Sequence, residues 1–139
     1  PDLKADDLAK MLGAGHPINP EFELVKYSQG SVRHRHYPPN MKTNAEMTPK
    51  EKAEFFVIGQ AAALVSATSV MSKSSEAKYI EAQKKRAANA KAALSGVAEA
   101  AELLASPSRA NALKLAAAIA GKDLTGAVGS KLPAKGDYK

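Results

Sequence analysis

Residues 48–71 read Thr48-Pro49-Lys50-Glu51-Lys52-Ala53-Glu54-Phe55-Phe56-Val57-Ile58, then Gly59-Gln60-Ala61-Ala62-Ala63-Leu64-Val65, then Ser66-Ala67-Thr68-Ser69-Val70-Met71. The first four are a helix-start signal. The Thr48 hydroxyl can accept from the amide three residues on, and Glu51 can reach back to the Thr48 amide. Pro49 takes the first helical position, where a missing N–H costs nothing. A helix is predicted from here to Val70-Met71, interrupted or kinked at Ser72-Lys73-Ser74-Ser75, where serine side chains compete for backbone hydrogen bonds. Phe55 to Ser72 carries no charge over 18 positions, close to the roughly 20 apolar residues of a membrane span. Gly59, Gln60, Ser66, Thr68 and Ser69 dilute that stretch, and a buried helix in a packed assembly accounts for it equally.

Toward the C-terminus, a second long helix is predicted from about Glu76 to Ala105. Tyr79, Ile80, Ala87, Ala90, Leu94, Val97, Ala98, Ala101 and Leu104 share one face of it. Gly96 costs roughly 1 kcal/mol there relative to Ala, so a close helix approach is expected at that position. Ser106-Pro107 repeats the cap-then-proline pattern and opens a third helix ending at Gly121. Lys122 to Lys139, with three of the nine glycines (Gly126, Gly129 and Gly136) and one proline, reads as a flexible basic tail.

Toward the N-terminus, Asp2 to Leu12 reads as a short helix capped by Asp2 and stopped by Gly13 or Gly15. Pro17, Pro20, Gly30, Pro38 and Pro39 then forbid one regular element, and the segment reads as an extended, Pro-rich basic arm. Within it, Glu21 to Tyr27 partly alternates polar and apolar residues, which permits a short extended stretch. The chain thus divides into a helix and arm over 1–47, a helical body over 48–121 and a tail over 122–139. The fold class is all-α, an Ala-rich helical bundle.

Composition narrows the chemistry. The 139 residues carry 20 Lys plus Arg against 14 Asp plus Glu, a net charge of +6, with no Cys and no Trp. Disulfide scaffolds, thiolate zinc sites and cysteine nucleophiles are therefore excluded. Seven Phe and Tyr in all argue against a base-stacking platform. Of 28 alanines, 23 fall in residues 45–120. Alanine favours helix but buries little area, so neighbouring copies or partners are expected to supply part of the stability. Asp2, Asp6 and Asp7 precede the first short apolar stretch, unlike a signal peptide, and a start at Pro1 reads as loss of an initiator Met or of a longer leader.

Two basic clusters stand out. Arg33-His34-Arg35-His36-Tyr37-Pro38-Pro39-Asn40-Met41-Lys42 holds three fixed positive charges and no carboxylate. Guanidinium forks suit phosphate oxygens, so Arg33, Arg35 and Lys42 are candidate phosphate contacts; a solvated loop, or one paired with acidic residues of another subunit, is the competing reading. His34 and His36 lack nearby carboxylate ligands, and no metal site or cofactor is expected. Lys84, Lys85, Arg86 and Lys91 form the second cluster, set against an ordinary solvated helix face; the Arg86 stem lies beside the apolar stripe. Gly126-Ala127-Val128-Gly129-Ser130-Lys131 lacks phosphate-loop spacing, and no enzymatic motif is present.

The arm from Arg33 to Lys42, with the helices over Pro49 to Ala105 and Pro107 to Ala120, resembles in architecture the helical coat proteins of filamentous or rod-shaped double-stranded DNA viruses of archaea. In that family, arms and helices of many subunits wrap and bury DNA. The resemblance implies a non-enzymatic virion subunit, assembled in host cytoplasm with identical or paralogous coat subunits, that contacts double-stranded DNA without sequence specificity. Two alternatives remain: an accessory single-pass subunit of a membrane complex, with Phe55 to Met71 in the bilayer, and a virion-internal genome-delivery protein.

Overall fold

The computed structural model describes residues 5–17, 19, 22–30 and 45–139. Those residues form an all-α fold without strands, built around one long central helix. In chain order the helices are α1 (Ala5–Gly13), α2 (Leu24–Ser28), α3 (Pro49–Met71), α4 (Ala77–Leu94), α5 (Ala101–Ala105), α6 (Arg109–Ile119) and α7 (Thr125–Val128), with a 3-10 turn at Ala98–Ala100 and two more after α7.

The start of α3 follows the sequence signal. The Glu51 amide donates to Thr48 Oγ1 at 3.2 Å, and the Thr48 amide donates to Glu51 Oε2 at 2.7 Å. At its far end Ser72 Oγ donates to the Ser69 carbonyl at 3.0 Å, and the serine-rich corner breaks the helix as expected. Helix α4 then folds back along α3, and this pair is the principal contact of the molecule. Leu64, Leu94, Leu103, Ile119 and Val57 are fully buried among Ala53, Ala61, Ala67, Ala87, Ala90 and Ala100. The core is thus alanine with large side chains at intervals. By length and composition α3 could also cross a membrane, yet its buried face is the central seam of this core.

Five expectations need correction. The long helix to Ala105 breaks after Leu94, where Ser95 Oγ donates to the Ala92 carbonyl and the chain turns through Gly96 and Val97. A Cβ on Gly96 would stand 3.1 Å from the Ala127 carbonyl, so close approach does explain this glycine, although the neighbour is α7 and the position is a helix end. The break moves the buried stripe by one residue: Ala100 and Leu103 are buried, whereas Ala98 and Ala101 are exposed. Helix α6 begins two residues later than predicted. Ser106 closes α5, and Ser108 caps α6 by accepting from the Asn111 amide at 3.1 Å. Gly121, at φ +72°, then lets the chain turn away.

Glu21 to Tyr27 is not an extended stretch where it is described. Glu23 caps α2 by accepting from the Val25 and Lys26 amides at 3.0 and 2.8 Å, and Val25 is buried against α3. Gly59 makes room for it, since a Cβ there would lie 2.9 Å from Leu24 Cβ. Nor is the segment after Lys122 a flexible tail. Leu124 and Val128 join the core, α7 packs on α3, and the Lys139 amide donates to the Lys26 carbonyl at 2.9 Å. Four apolar side chains spread over this glycine-bearing stretch (Leu124, Val128, Leu132 and Tyr138) are enough to hold it. Helix α1 is described from Ala5 to Gly13, and Gly15 at φ +87° turns the chain after it; the Asp2 cap lies outside the described residues.

Candidate nucleic-acid interface

Helix α4 positions the second basic cluster. Its Ala, Lys, Arg and Gln residues are good helix formers, and Tyr79, Gln83, Ala87, Ala90 and Leu94 turn one side of it to the core. Lys78, Lys84, Lys85 and Lys91 are all exposed on the rest of its circumference. Lys84 and Lys91 stand seven residues apart on one flank of the outer face, about 10 Å along the axis, and Lys78 and Lys85 repeat that spacing on the other flank. Between the flanks lie the exposed small residues Ala88 and Ala92 and a single carboxylate, Glu81.

Four other lysines are ion-paired: Lys114 with Glu102 and Lys122 with Glu99, each at 2.7 Å, Lys135 with Glu46 at 3.0 Å, and Lys52 with Glu46. Among the described residues no ion pair engages Lys78, Lys84, Lys85 or Lys91. The outer face of α4 therefore offers four free ammonium groups over a low, alanine-floored surface.

Arg86 is separated from these four. It is half-buried on the α2 side, lining a small cleft with Phe22, Glu23, Leu24, Gly59 and Gln60. Glu23 also lines that cleft, but its carboxylate is committed to capping α2. Burial raises the pKa of the Tyr79 hydroxyl, and the nearby Arg86 charge offsets part of that rise. The structure thus brings Lys84, Lys85 and Lys91 together, adds Lys78 and sets Arg86 aside. Arg33, Arg35 and Lys42, with His34 and His36, lie outside the described residues.

In the C-terminal segment the side chains of Lys122, Lys131 and Lys135 have structural partners. Lys131 Nζ donates to the Ala92 and Ala93 carbonyls at 2.9 and 3.0 Å, satisfying the open end of α4 with a cation. Lys52 and Lys135 converge on Glu46, with Lys52 5.4 Å from the centre of the Tyr138 ring. Hydrogen bonds from Lys52 and then Lys135 hold the Glu46 carboxyl at about 2, down from 4.5. This cluster was not legible in the sequence, because its members, Glu46 to Tyr138, are 92 positions apart at the extremes. Its only local hint is that Lys52 lies one helical turn from the Thr48 cap.

The two flanks of the first basic cluster meet. The Met47 amide donates to Gln29 Oε1 at 2.7 Å, and Gln29 and Met47 are both buried. A Cβ on Gly30 would fall on the Lys139 backbone, so this end too is fitted against the body. Among the described residues no group of three or more His, Asp or Glu side chains is placed to hold a metal ion. Searches against protein families, curated proteins and solved structures found no match to this chain.

Proposed function

We propose that this protein is a non-enzymatic structural subunit of a multi-copy assembly, of the virion-coat kind, that contacts the phosphates of double-stranded DNA without reading base sequence. The observation that carries the reading is the outer face of α4, where Lys78, Lys84, Lys85 and Lys91 are exposed and, among the described residues, without ion-pair partners, whereas Lys52, Lys114, Lys122 and Lys135 are ion-paired. Ammonium groups on a smooth face suit a phosphate row and carry no base code. Arg33, Arg35 and Lys42 belong to the same proposal on the strength of their sequence alone.

Titration of the full chain with duplex DNA at several salt concentrations tests it. Each neutralised phosphate contributes about −0.9 to the slope of log affinity against log salt. Replacing Lys84, Lys85 and Lys91 together by Ala should flatten the slope by about 2.7, and replacing Arg33 and Arg35 by about 1.8. A flat salt response of the unmodified protein would overturn the reading. The length and apolarity of α3 favour a second reading, a membrane-complex subunit, which requires detergent for extraction and shows no such salt law.

A further inference from the structure

Helix α3 packs against α4, α6, α2 and α7, but only 28 % of its most apolar 18-residue stretch is buried. An open groove of about 450 Å³ lies between α3 and α6. Ala61, Ala62, Ala112 and Ala116 line it together with Ile58 and Val65 of α3. Leu113 stands on the α6 rim, 60 % exposed, the most exposed large aliphatic side chain among the described residues. A hole and a knob therefore share one face.

The charges at its ends fix a direction. Helix α6 leads within six residues into α7, which packs against Gly96 at the end of α4, and the chain then reaches Glu46, just before α3, through Lys135. The end of α6 therefore lies toward the start of α3 and the two helices run antiparallel. Arg109, at the start of α6, consequently marks the Ser69 end of the groove. Beyond Ile58, at the opposite end, the same stripe of α3 continues to Glu54, because residues 54, 58, 62, 65 and 69 follow one helical face. Glu54 and Ser69 are about 22 Å apart along the axis. Neither Arg109 nor Glu54 has an ion-pair partner among the described residues.

We infer that the α3–α6 groove is a two-fold dimer contact whose occupant is a second copy of this chain, with Leu113 of each copy seated in the other's groove. A two-fold axis across the groove sets the two α3 helices antiparallel and brings the Arg109 end of each copy to the Glu54 end of the other, so both unpaired charges are matched twice. A head-to-head parallel arrangement would oppose arginine to arginine. The self-complementarity of knob, hole and charge on one patch is what an isologous interface requires. This contact rests on the multi-copy reading above and names one of its interfaces.

Sedimentation of the full chain over a concentration series decides it, with far-UV circular dichroism as the folding control. The unmodified protein should associate, and Leu113→Asp, at an exposed position, should abolish that step. Arg109→Glu and Glu54→Arg should each weaken association about tenfold or more, since each reverses two contacts per dimer. The double exchange should restore it to within a few-fold of the unmodified protein. That rescue keeps the test intact if Leu113→Asp fails to fold. Association indifferent to all of these substitutions would overturn the groove contact and leave multi-copy assembly standing. An unmodified protein that stays monomeric throughout would overturn both, and would mean that the groove takes another protein or lipid.

Discussion

Thr48 carries more consequence than its exposed position suggests. Its hydroxyl and the Glu51 carboxylate satisfy two otherwise open donors at the start of the helix on which the core is built. Thr48→Ala should lower stability by about 1 kcal/mol in chemical denaturation, and Thr48→Ser should recover most of it. This residue was readable because a cap is a local device: all its parts lie within four positions. The cap of α6 falls at Ser108 rather than at Ser106, although Ser106-Pro107 offers the local pattern, because Ser106 ends α5. Gln83 was not readable as a core residue at all. It is buried on the α4 stripe, and its Oε1 has no hydrogen-bond partner among the described residues.

At the scale of elements, periodicity located α3, α4 and α6 but not their limits. The end of α4 at Leu94 is closed locally by Ser95 and, from 38 and 39 positions away, by Lys131, which donates to the Ala93 and Ala92 carbonyls. No local window of sequence contains the second contribution. Lys131→Ala should fray the last turn of α4 and cost about 0.5 kcal/mol, with amide exchange accelerating at Leu94 to Val97 and unchanged at Thr48 to Lys52. The short helix α2 was hidden for a related reason. Five residues have too little intrinsic helicity to announce themselves, and α2 exists because Glu23 caps it and Gly59 admits Leu24. Of the candidate interface, the lysines of α4 could be read as a cluster, but which of them share the outer face depended on where α3 lies.

For the molecule as a whole, Glu46 is the point where the start of the helical body, α3 and the C-terminal segment are joined, through Lys52 and Lys135. Its carboxyl is held at about 2 in the folded chain against an ordinary 4.5. A depressed carboxyl contributes its stabilisation in full above the ordinary value and loses it as the pH falls toward the folded one. Thermal stability should therefore decline between about pH 4.5 and 2, and amide exchange should quicken first in residues 129–139. Glu46→Gln should reduce stability at neutral pH and flatten this part of the acid profile. An unchanged profile in that variant would assign the acid sensitivity to other carboxylates.

The hydrogen bond from Met47 to Gln29 makes residues 30–46 a closed circuit whose two entry points are fixed together. Chain length inside such a circuit can be changed without disturbing its closure. Doubling a flexible loop costs only about 0.6 kcal/mol of closure entropy. A Gly- and Ser-rich insert of a dozen or so residues between Pro39 and Asn40 should therefore leave the melting temperature nearly unchanged. For the same reason a single protease cut there should yield two fragments that migrate as one species under native conditions and separate only in denaturant. The bond between its two ends, rather than the length of chain between them, is what keeps Gln29 and Met47 together.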